Sequence, residues 1–394
     1  MSSVLEGVRV LDFGRYIAGP WCAAVLGDLG AEVIRVEKTR GSEDRYIMPV
    51  TPQGDGASYM QMNRNKLGMT LNPMRDEGRE IVRRLVATAD VVVANLPPEG
   101  LQAMGLDYEA LKAVKPDIIL TTTTAFGTGG PASNRVGFDG VAQALSGSMY
   151  LTGPEGQPTK SITNFADFGT ALFSAVGTLA ALMHRQRAGE GQHVETSLLG
   201  TALGFMSANL LEQQANRLNR VSTWNRGQFA GPADTFATRD GWILVHCVGA
   251  PLFRRWCRLI GEEGLLEDPR VADDQARGDN SEWLSERMAA WCAERSTEEA
   301  LTALAEARIP AGEVYSPQQA LDDAHIQAMG FLKALDYPGL SEPGVVTDTP
   351  VRFSTVDAGV RNRAPTLGEH TDAILGELGY SAAEVSALRE AGVI

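Results

Sequence analysis

Basic charge is the first thing this sequence is short of: 35 Lys and Arg stand against 49 Asp and Glu, a net charge of −14. That balance argues against a nucleic-acid or anionic-membrane surface, while leaving room for a local basic pocket around a phosphorylated ligand. Cysteine is scarce too. Cys22, Cys247, Cys257 and Cys292 form no CxxC pair and no metal-ligand spacing, which suits buried thiols in a reducing cytosol. Five histidines, His184, His193, His246, His325 and His370, never fall into HxxxH or HExxH, so a zinc hydrolase is unsupported and no metal is expected. There is no GxSxG before a helix, no GxxxxGK[ST], and no GxGxxG in the first strand-to-helix turn. A serine esterase, ATP and a nicotinamide cofactor therefore all lack their signatures. No run of apolar residues reads as a membrane span, and MSSVLEGVRV has no basic segment leading into an apolar one. The expectation is a cytoplasmic protein.

What is present is an ordinary globular composition, 44% hydrophobic and 21% charged, over 394 residues. That length exceeds what one core usually organises, so two domains are expected. From Val8 the pattern runs as a short apolar strand (VRVLDF), a helical Trp21–Leu29 stopped by Gly30, and a second strand (EVIRVE). It continues through the helical Glu77–Ala89, the strand ADVVVAN, the short helix Tyr108–Val114 and the strand DIILTTTT. Strands alternating with helices predict an α/β fold, a Rossmann-like, doubly wound parallel sheet with right-handed crossovers. Ligands of such sheets sit beyond the carboxyl ends of the strands. Tyr16, Ile17, Lys38, Asn95, Leu96 and Phe126 lie there, with the Gly-rich run Phe126–Gly140. The irregular segment between Arg40 and Met62 is long enough to be a functional loop.

GQHVETS reads as an edge or central strand, followed by a long helix from Leu198 to about Leu218. Around Asn219–Thr223 the character changes, and FAGPADTFATRDGWILVHCVG reads as a hairpin turning at RDG. Helices at Pro251–Ile260, Ser281–Ala293 and Thr297–Ala307 follow, and from about Pro350 the style of the first part returns. The expected division is a large domain over 1–222, a smaller α+β domain over 223–330, and a linker with a return to the large domain over 331–394.

The stretch Asn164–Ser197 organises the rest. Asp167 is its one carboxylate in an apolar, small-residue setting. Leu172, Val176, Leu179, Ala180 and Met183 then mark the apolar face of a helix that ends with His184, Arg185 and Arg187 before Gly189. An aspartate in a first helical turn ordinarily caps backbone N–H groups, and the helix dipole there favours its ionised form. The same placement suits a nucleophilic carboxylate beside a Gly-rich loop able to donate N–H groups to an oxyanion.

That stretch, with LDFGRYIAGPWCAAVLGDLGAEVIRVE near the start and APTLGEHTDAILGELG near the end, resembles the class III CoA-transferases, the group of carnitine CoA-transferase and formyl-CoA transferase. The resemblance spans essentially the whole chain. It implies transfer of coenzyme A from an acyl-CoA, succinyl-CoA among the candidates, to a free carboxylic acid. Asp167 would form a mixed anhydride and then an aspartyl-CoA thioester, with coenzyme A as co-substrate and no other cofactor. It also implies a CoA site drawing on Tyr16, Ile17, Lys38, Leu71, Asn95 and Leu96, with Arg75 near the phosphates and with Phe138 and Asp139 near the reacting centre. Ala103 stands where formyl-CoA transferase has an arginine, and Ile17 replaces its glutamine; the glycine-tetrad loop of that enzyme is missing from Gln228–Asp234. Oxalate and formyl-CoA are accordingly poor substrates to expect. Arg15, Arg64 and Arg226 are candidates to meet the distal carboxylate of a dicarboxylic acid.

Two rivals stand beside this reading. A 2-methylacyl-CoA racemase of the same fold inverts its centre through a His and Asp pair, but VGFDG puts Phe138 where those enzymes carry the histidine. A non-catalytic CoA-ester-binding protein would use Asp167 only as a cap. The resemblance further implies an interlocked homodimer, each chain forming a ring through which the other passes.

Overall fold

The computed structural model describes residues 3–394. In chain order the first part contains β1 (Arg9–Asp12), α1 (Ala18–Asp28), β2 (Glu32–Glu37), α2 (Ala57–Met62), β3 (Lys66–Thr70), α3 (Asp76–Thr88), β4 (Val91–Ala94), α4 (Pro98–Met104), α5 (Tyr108–Val114), β5 (Ile119–Thr124), α6 (Asp139–Leu145), α7 (Phe165–Ala188), β6 (His193–Ser197), α8 (Leu198–Phe205) and α9 (Ser207–Asn216). There follow β7 (Ala233–Ala237), β8 (Trp242–His246), α10 (Ala250–Ile260), α11 (Asp274–Asp279), α12 (Ser281–Ala293), α13 (Thr297–Glu306), β9 (Ala311–Glu313), α14 (Pro317–Asp322), α15 (Ala324–Met329), β10 (Leu332–Leu335), β11 (Gly344–Thr347), α16 (Thr371–Glu377) and α17 (Ala382–Glu390).

The chain divides into two compact units. One comprises residues up to 146, 162–211 and 325–394, the other residues 147–161 and 212–324. Against the expected boundaries, a short excursion just before α7 joins the second unit, and α9 straddles the division. The first unit holds the six-stranded sheet, all parallel, in the order β3-β2-β1-β4-β5-β6. The order reverses between β1 and β4, the switch point where a doubly wound sheet opens a crevice. The segment GQHVETS forms the edge strand β6.

Strand residues alternate between two cores, as pleating requires. Leu11, Ile34, Val92 and Leu120 pack on one face with Ile81 and Leu85 of α3. Val10, Val33, Val91, Val93 and Ile119 pack on the other with Cys22 and Leu26 of α1 and Ala171 and Ala175 of α7. Each fully buried side chain of this kind contributes about 1.5–3 kcal/mol. β3 escapes the sequence pattern because Lys66 and Gly68 interrupt its apolar run. Gly68 is needed there, since a Cβ would stand 2.7 Å from the ring of Pro365. The segment around Pro365–Thr371 seals this edge, with the Gly68 N–H donating to His370 Nδ1 at 3.1 Å.

Three further expectations are corrected. The segment 40–62 is irregular only in part, ending in α2 and anchored at Arg45: this buried side chain pairs with Glu37 and Asp55, donates to Tyr59 Oη at 2.7 Å and stacks on the Tyr59 ring, while Tyr46–Val50 stay exposed. The helix expected over 198–218 breaks at Met206 into α8 and α9. The third concerns α7. By length and composition this helix is apolar enough to cross a membrane, against the expectation that no run reads as a span; it packs on α1, β5, β6, α6 and α8.

Its buried face is not the predicted one. Leu172, Val176 and Met183 are more than half exposed, while Thr170, Ser174 and Thr178 are buried. Their hydroxyls bond with Thr201 (2.8 Å), Thr196 (2.8 Å) and Thr121 (2.6 Å). Small and hydroxylated residues let the helix lie close against the threonine-rich β5, where larger side chains would hold it off.

In the second unit β7, β8 and β9 form an antiparallel sheet whose first hairpin turns through Thr238–Gly241. Phe236, Ile243, Trp256, Leu284 and Leu304 lie in its core.

Candidate active site

The crevice begins with the turn from β1 into α1. Buried Asp12 accepts the Gly14 N–H at 2.8 Å and Lys66 Nζ at 2.7 Å, and Lys66 also donates to the carbonyl of Pro20 at 2.7 Å. Burial alone would push the Asp12 carboxyl up, but Lys66 and Arg35 outweigh it and hold it below its ordinary value. Arg35, wholly buried on β2, donates to the Gly14 carbonyl and pairs with Asp44 at 2.7 Å. From beyond β4, Asn95 accepts the Arg15 N–H at 2.6 Å and donates to the Arg15 carbonyl at 2.8 Å. The turn so held places Tyr16 in the left-handed region, at φ 61°. A bulky residue persists there only when its surroundings over-determine it.

A cleft of about 400 Å³ opens beyond the carboxyl ends of four adjacent strands. Phe13 follows β1, Lys38 follows β2, Leu71 follows β3 and Leu96 follows β4, with Val36, Met104 and Arg15 among the other lining residues. An apolar lining with one or two cations suits a long ligand that carries phosphate at one end. Lys38 is exposed and paired with Glu43. Arg15 touches Ser42 Oγ; burial, with the nearby Arg35, lowers its pKa.

The second part of the site is the start of α7. Asn164, which precedes the helix, makes no capping bond with its side chain. Asp167 does not cap either, which corrects the expectation drawn from its position. The first-turn donors go instead to Asp139 of α6, whose Oδ2 accepts the N–H groups of Ala166 at 2.9 Å and Asp167 at 3.1 Å. The ionisation expected of Asp167 also changes direction. Burial, with the charge of Asp139 adding to it, pushes its carboxyl up to about 7, and the first-turn N–H groups that would favour the anion are bonded to Asp139 instead. No cation pairs with Asp167 among the described residues. The result is a half-buried carboxylate more basic than usual, poised between protonation states near neutrality, which is what an oxygen nucleophile or a proton acceptor requires.

The two parts meet through an aromatic contact. Tyr16 lies edge-on to Phe138, centroids 5.5 Å apart, and Phe138 immediately precedes Asp139. Trp21 of α1 packs similarly on Phe168 at 5.1 Å, so residues on either side of the switch point share one rim.

Of the residues singled out in the sequence, Lys38, Leu71 and Leu96 line the cleft. Tyr16, Phe138, Asp139 and Asp167 gather at the start of α7. Ile17 sits half-buried at the head of α1. Arg75 is exposed ahead of α3, outside the cleft lining. Arg64 is buried, paired with Asp28 at 2.6 Å and stacked on Trp21, so it is closed to a ligand. Arg226 belongs to the second unit, 3.7 Å from Glu282. The capping role of Asp139 carried no sequence signal, since its partners lie 27 and 28 residues away. All four cysteines are buried and free. Burial pushes Cys22, Cys247 and Cys292 up to about 12 and Cys257 up to about 11, so none is a thiolate nucleophile at neutral pH.

The sequence profile of CoA-transferase family III matches residues 5–371. The chain belongs to that family. It is 34% identical to the succinate–glutarate CoA-transferase of Agrobacterium fabrum, over 95% of each chain. It is 33% identical to the succinyl-CoA–D-citramalate CoA-transferase of Chloroflexus aurantiacus, over 95% of this chain and 94% of that one. The crystal structure of a CaiB/BaiF family protein from Brucella suis superposes with a TM-score of 0.84 at 33% identity, covering 96% of this chain and all of the other. Membership of family III makes the protein a CoA-transferase, and the parallel α/β unit described above is the fold in which this family works.

Proposed function

We propose that the protein moves coenzyme A between succinyl-CoA and a free dicarboxylic acid, with Asp167 as nucleophile. The observation that carries this is the state of Asp167: a basic, half-buried carboxylate, relieved of capping by Asp139, at the strand-end face that also bears the cleft. Support for the substrates comes from relatives named for succinate, glutarate and D-citramalate, all dicarboxylic acids.

The sequence of steps balances without a redox partner. An Asp167 oxygen attacks the thioester carbonyl, the C–S bond breaks, and CoA thiolate leaves behind a mixed anhydride. The thiolate attacks the aspartyl carbonyl carbon and expels the donor acid as its carboxylate, leaving an aspartyl-CoA thioester. The acceptor carboxylate attacks that carbonyl and displaces the thiolate, which then attacks the acceptor's own acyl carbon and frees Asp167. Anhydride and thioester are both activated acyl groups, so the enzyme contributes orientation and oxyanion stabilisation. Coenzyme A is the co-substrate, and these steps call on no metal or nucleotide.

In this reading the cleft takes the CoA ester, with Arg15 and Lys38 near its phosphates and Leu71 and Leu96 along its stem. The protein acts in the cytoplasm as an interlocked homodimer. What supports a second copy is the outward face of α7 and α8, where Leu172, Phe173, Val176, Met183 and Phe205 are all more than half exposed, an apolar patch of the sort that marks an interface. The 63% exposed Phe138, standing where racemases carry a histidine, leaves that position without a proton-transfer group.

The deciding experiment is intact-mass analysis after brief incubation with succinyl-CoA and other acyl-CoAs, followed by hydroxylamine and peptide mapping. A hydroxamate on the Asp167 peptide, absent in Asp167→Asn, is the expected result. No adduct together with α-proton exchange in deuterated water would instead point to racemisation.

A further inference from the structure

Asp139 is 3% exposed, and both of its oxygens are committed. Oδ1 accepts the side-chain amide of Gln143 one turn along α6, and Oδ2 accepts the backbone N–H groups of Ala166 and Asp167 at 2.9 and 3.1 Å. A carboxylate so enclosed has little capacity left for a substrate, which turns it away from the ligand-contact role that resemblance suggests. Yet it is the group that fixes the backbone of Asp167.

We propose that Asp139 is the positioning residue of this site: it caps α7 from a neighbouring helix, so that the Asp167 carboxylate is left free of backbone donors and available to attack the acyl group. The assignment rests on the reading of Asp167 as nucleophile. Its physical logic is a division of labour between two carboxylates. A carboxylate accepting first-turn N–H groups is stabilised as the anion and made a poorer nucleophile. Satisfying those donors from α6 spares Asp167 that effect, and burial together with the like charge of Asp139 keeps Asp167 basic.

The other elements packed on α7 offer Asp167 no competing cation. α8 carries no charged residue; the only charged residue of α1, Asp28, lies at its far end and is paired with Arg64; β5 has none. β6 contributes His193 and Glu195, and the arginines of α7 itself, Arg185 and Arg187, lie at its other end. Among the described residues Asp139 is therefore the charged group that both bonds the first turn of α7 and bears on Asp167.

The test compares Asp139→Asn with Asp139→Ala in the full-length protein. Asparagine keeps an oxygen for the two N–H groups and removes the charge; alanine removes both. For Asp139→Asn the KM for the acyl-CoA is expected to stay within about twofold, while the acid limb of kcat/KM, expected near pH 7 in the wild type from the raised Asp167 carboxyl, moves down by about one unit. Asp139→Ala is expected to lose a further ~100-fold in kcat, as 1 Å misplacement of a reacting group does. A KM raised tenfold in Asp139→Asn would overturn the proposal, because it would make Asp139 a substrate contact; an unmoved acid limb would overturn it too. The carboxyl 13C resonance of Asp167, assigned by its loss in Asp167→Asn, reports the same ionisation without turnover. A wild type that transfers no CoA would refute the proposed reaction and the positioning role with it, whereas a wild type that transfers CoA together with a fully active Asp139→Ala would refute the positioning role alone.

Discussion

Asn95 grips the backbone of Arg15 from both sides, accepting its N–H at 2.6 Å and donating to its carbonyl at 2.8 Å. With every polar atom of its amide group in use, Asn95 shapes the turn that carries Tyr16. Asn95→Ala is expected to leave both the N–H and the carbonyl of Arg15 without these partners, costing about 1–3 kcal/mol in stability. It should lower kcat more than it raises the KM for the CoA ester, through drift of Tyr16 from Phe138. Steady-state kinetics decide this: a KM effect with kcat unchanged would make Asn95 a ligand contact.

Asp167→Asn tests the raised carboxyl through stability as well as turnover. An acid whose pKa rises on folding, here from an ordinary value near 4 to about 7, binds more protons in the folded state. The folded protein therefore loses stability as pH climbs through that window, and the cost is fully present above pH 7. The variant has no such group, so it should be more stable than wild type by roughly 2–4 kcal/mol at pH 8 and by about half that at pH 5. Urea unfolding at the two pH values measures it. Equal stabilisation at both would contradict the raised carboxyl, even if activity is lost.

Lys66 and Asp12 make a fully buried pair at 2.7 Å, both side chains at 0% exposure. Lys66→Met leaves Asp12 with the Gly14 N–H and, as its remaining cation, the more distant Arg35 at 3.8 Å, and is expected to destabilise by about 3–5 kcal/mol. The double variant Lys66→Met/Asp12→Asn should recover part of that. Chemical denaturation of wild type, Lys66→Met, Asp12→Asn and the double variant gives the coupling, and a double variant no better than Lys66→Met would show that the pair does not act as a unit.

The outward face of α7 yields a prediction on assembly. Leu172→Glu with Val176→Glu places two charges on a patch whose members are already exposed in one chain, so the fold of that chain should tolerate them. If wild type is the dimer proposed above, light scattering should report a monomer for this variant. A monomeric wild type at working concentration would remove the interlocked arrangement from the proposal.

The strands were legible because each is a short apolar run between turn residues. VRVLDF, EVIRVE, ADVVVAN and DIILTTTT all enter the sheet close to where their patterns begin and end. β3 was not, because a buried lysine and a glycine replace two of its apolar positions and their partners, Asp12 and Pro365, are remote in sequence. Asp167 could be picked out as a lone carboxylate, yet its ionisation was read with the wrong sign: periodicity locates the helix start but says nothing about which carboxylate takes its free donors. The face of α7 failed for a related reason, since hydrophobicity marks what avoids water, whereas contact with β5 selected small and hydroxylated side chains by fit.

By itself, then, the sequence determined the alternation of strand and helix, the place of the strand-end turns and the family, because these depend on local pattern and on motifs contiguous in the chain. Tertiary structure decided which side chains those turns bring together: Asn95 to Arg15, Lys66 to Asp12, and Asp139 to the amides of α7. Each pair is at least 27 residues apart in the chain, and the buried surroundings that set its electrostatics exist only once the elements have packed.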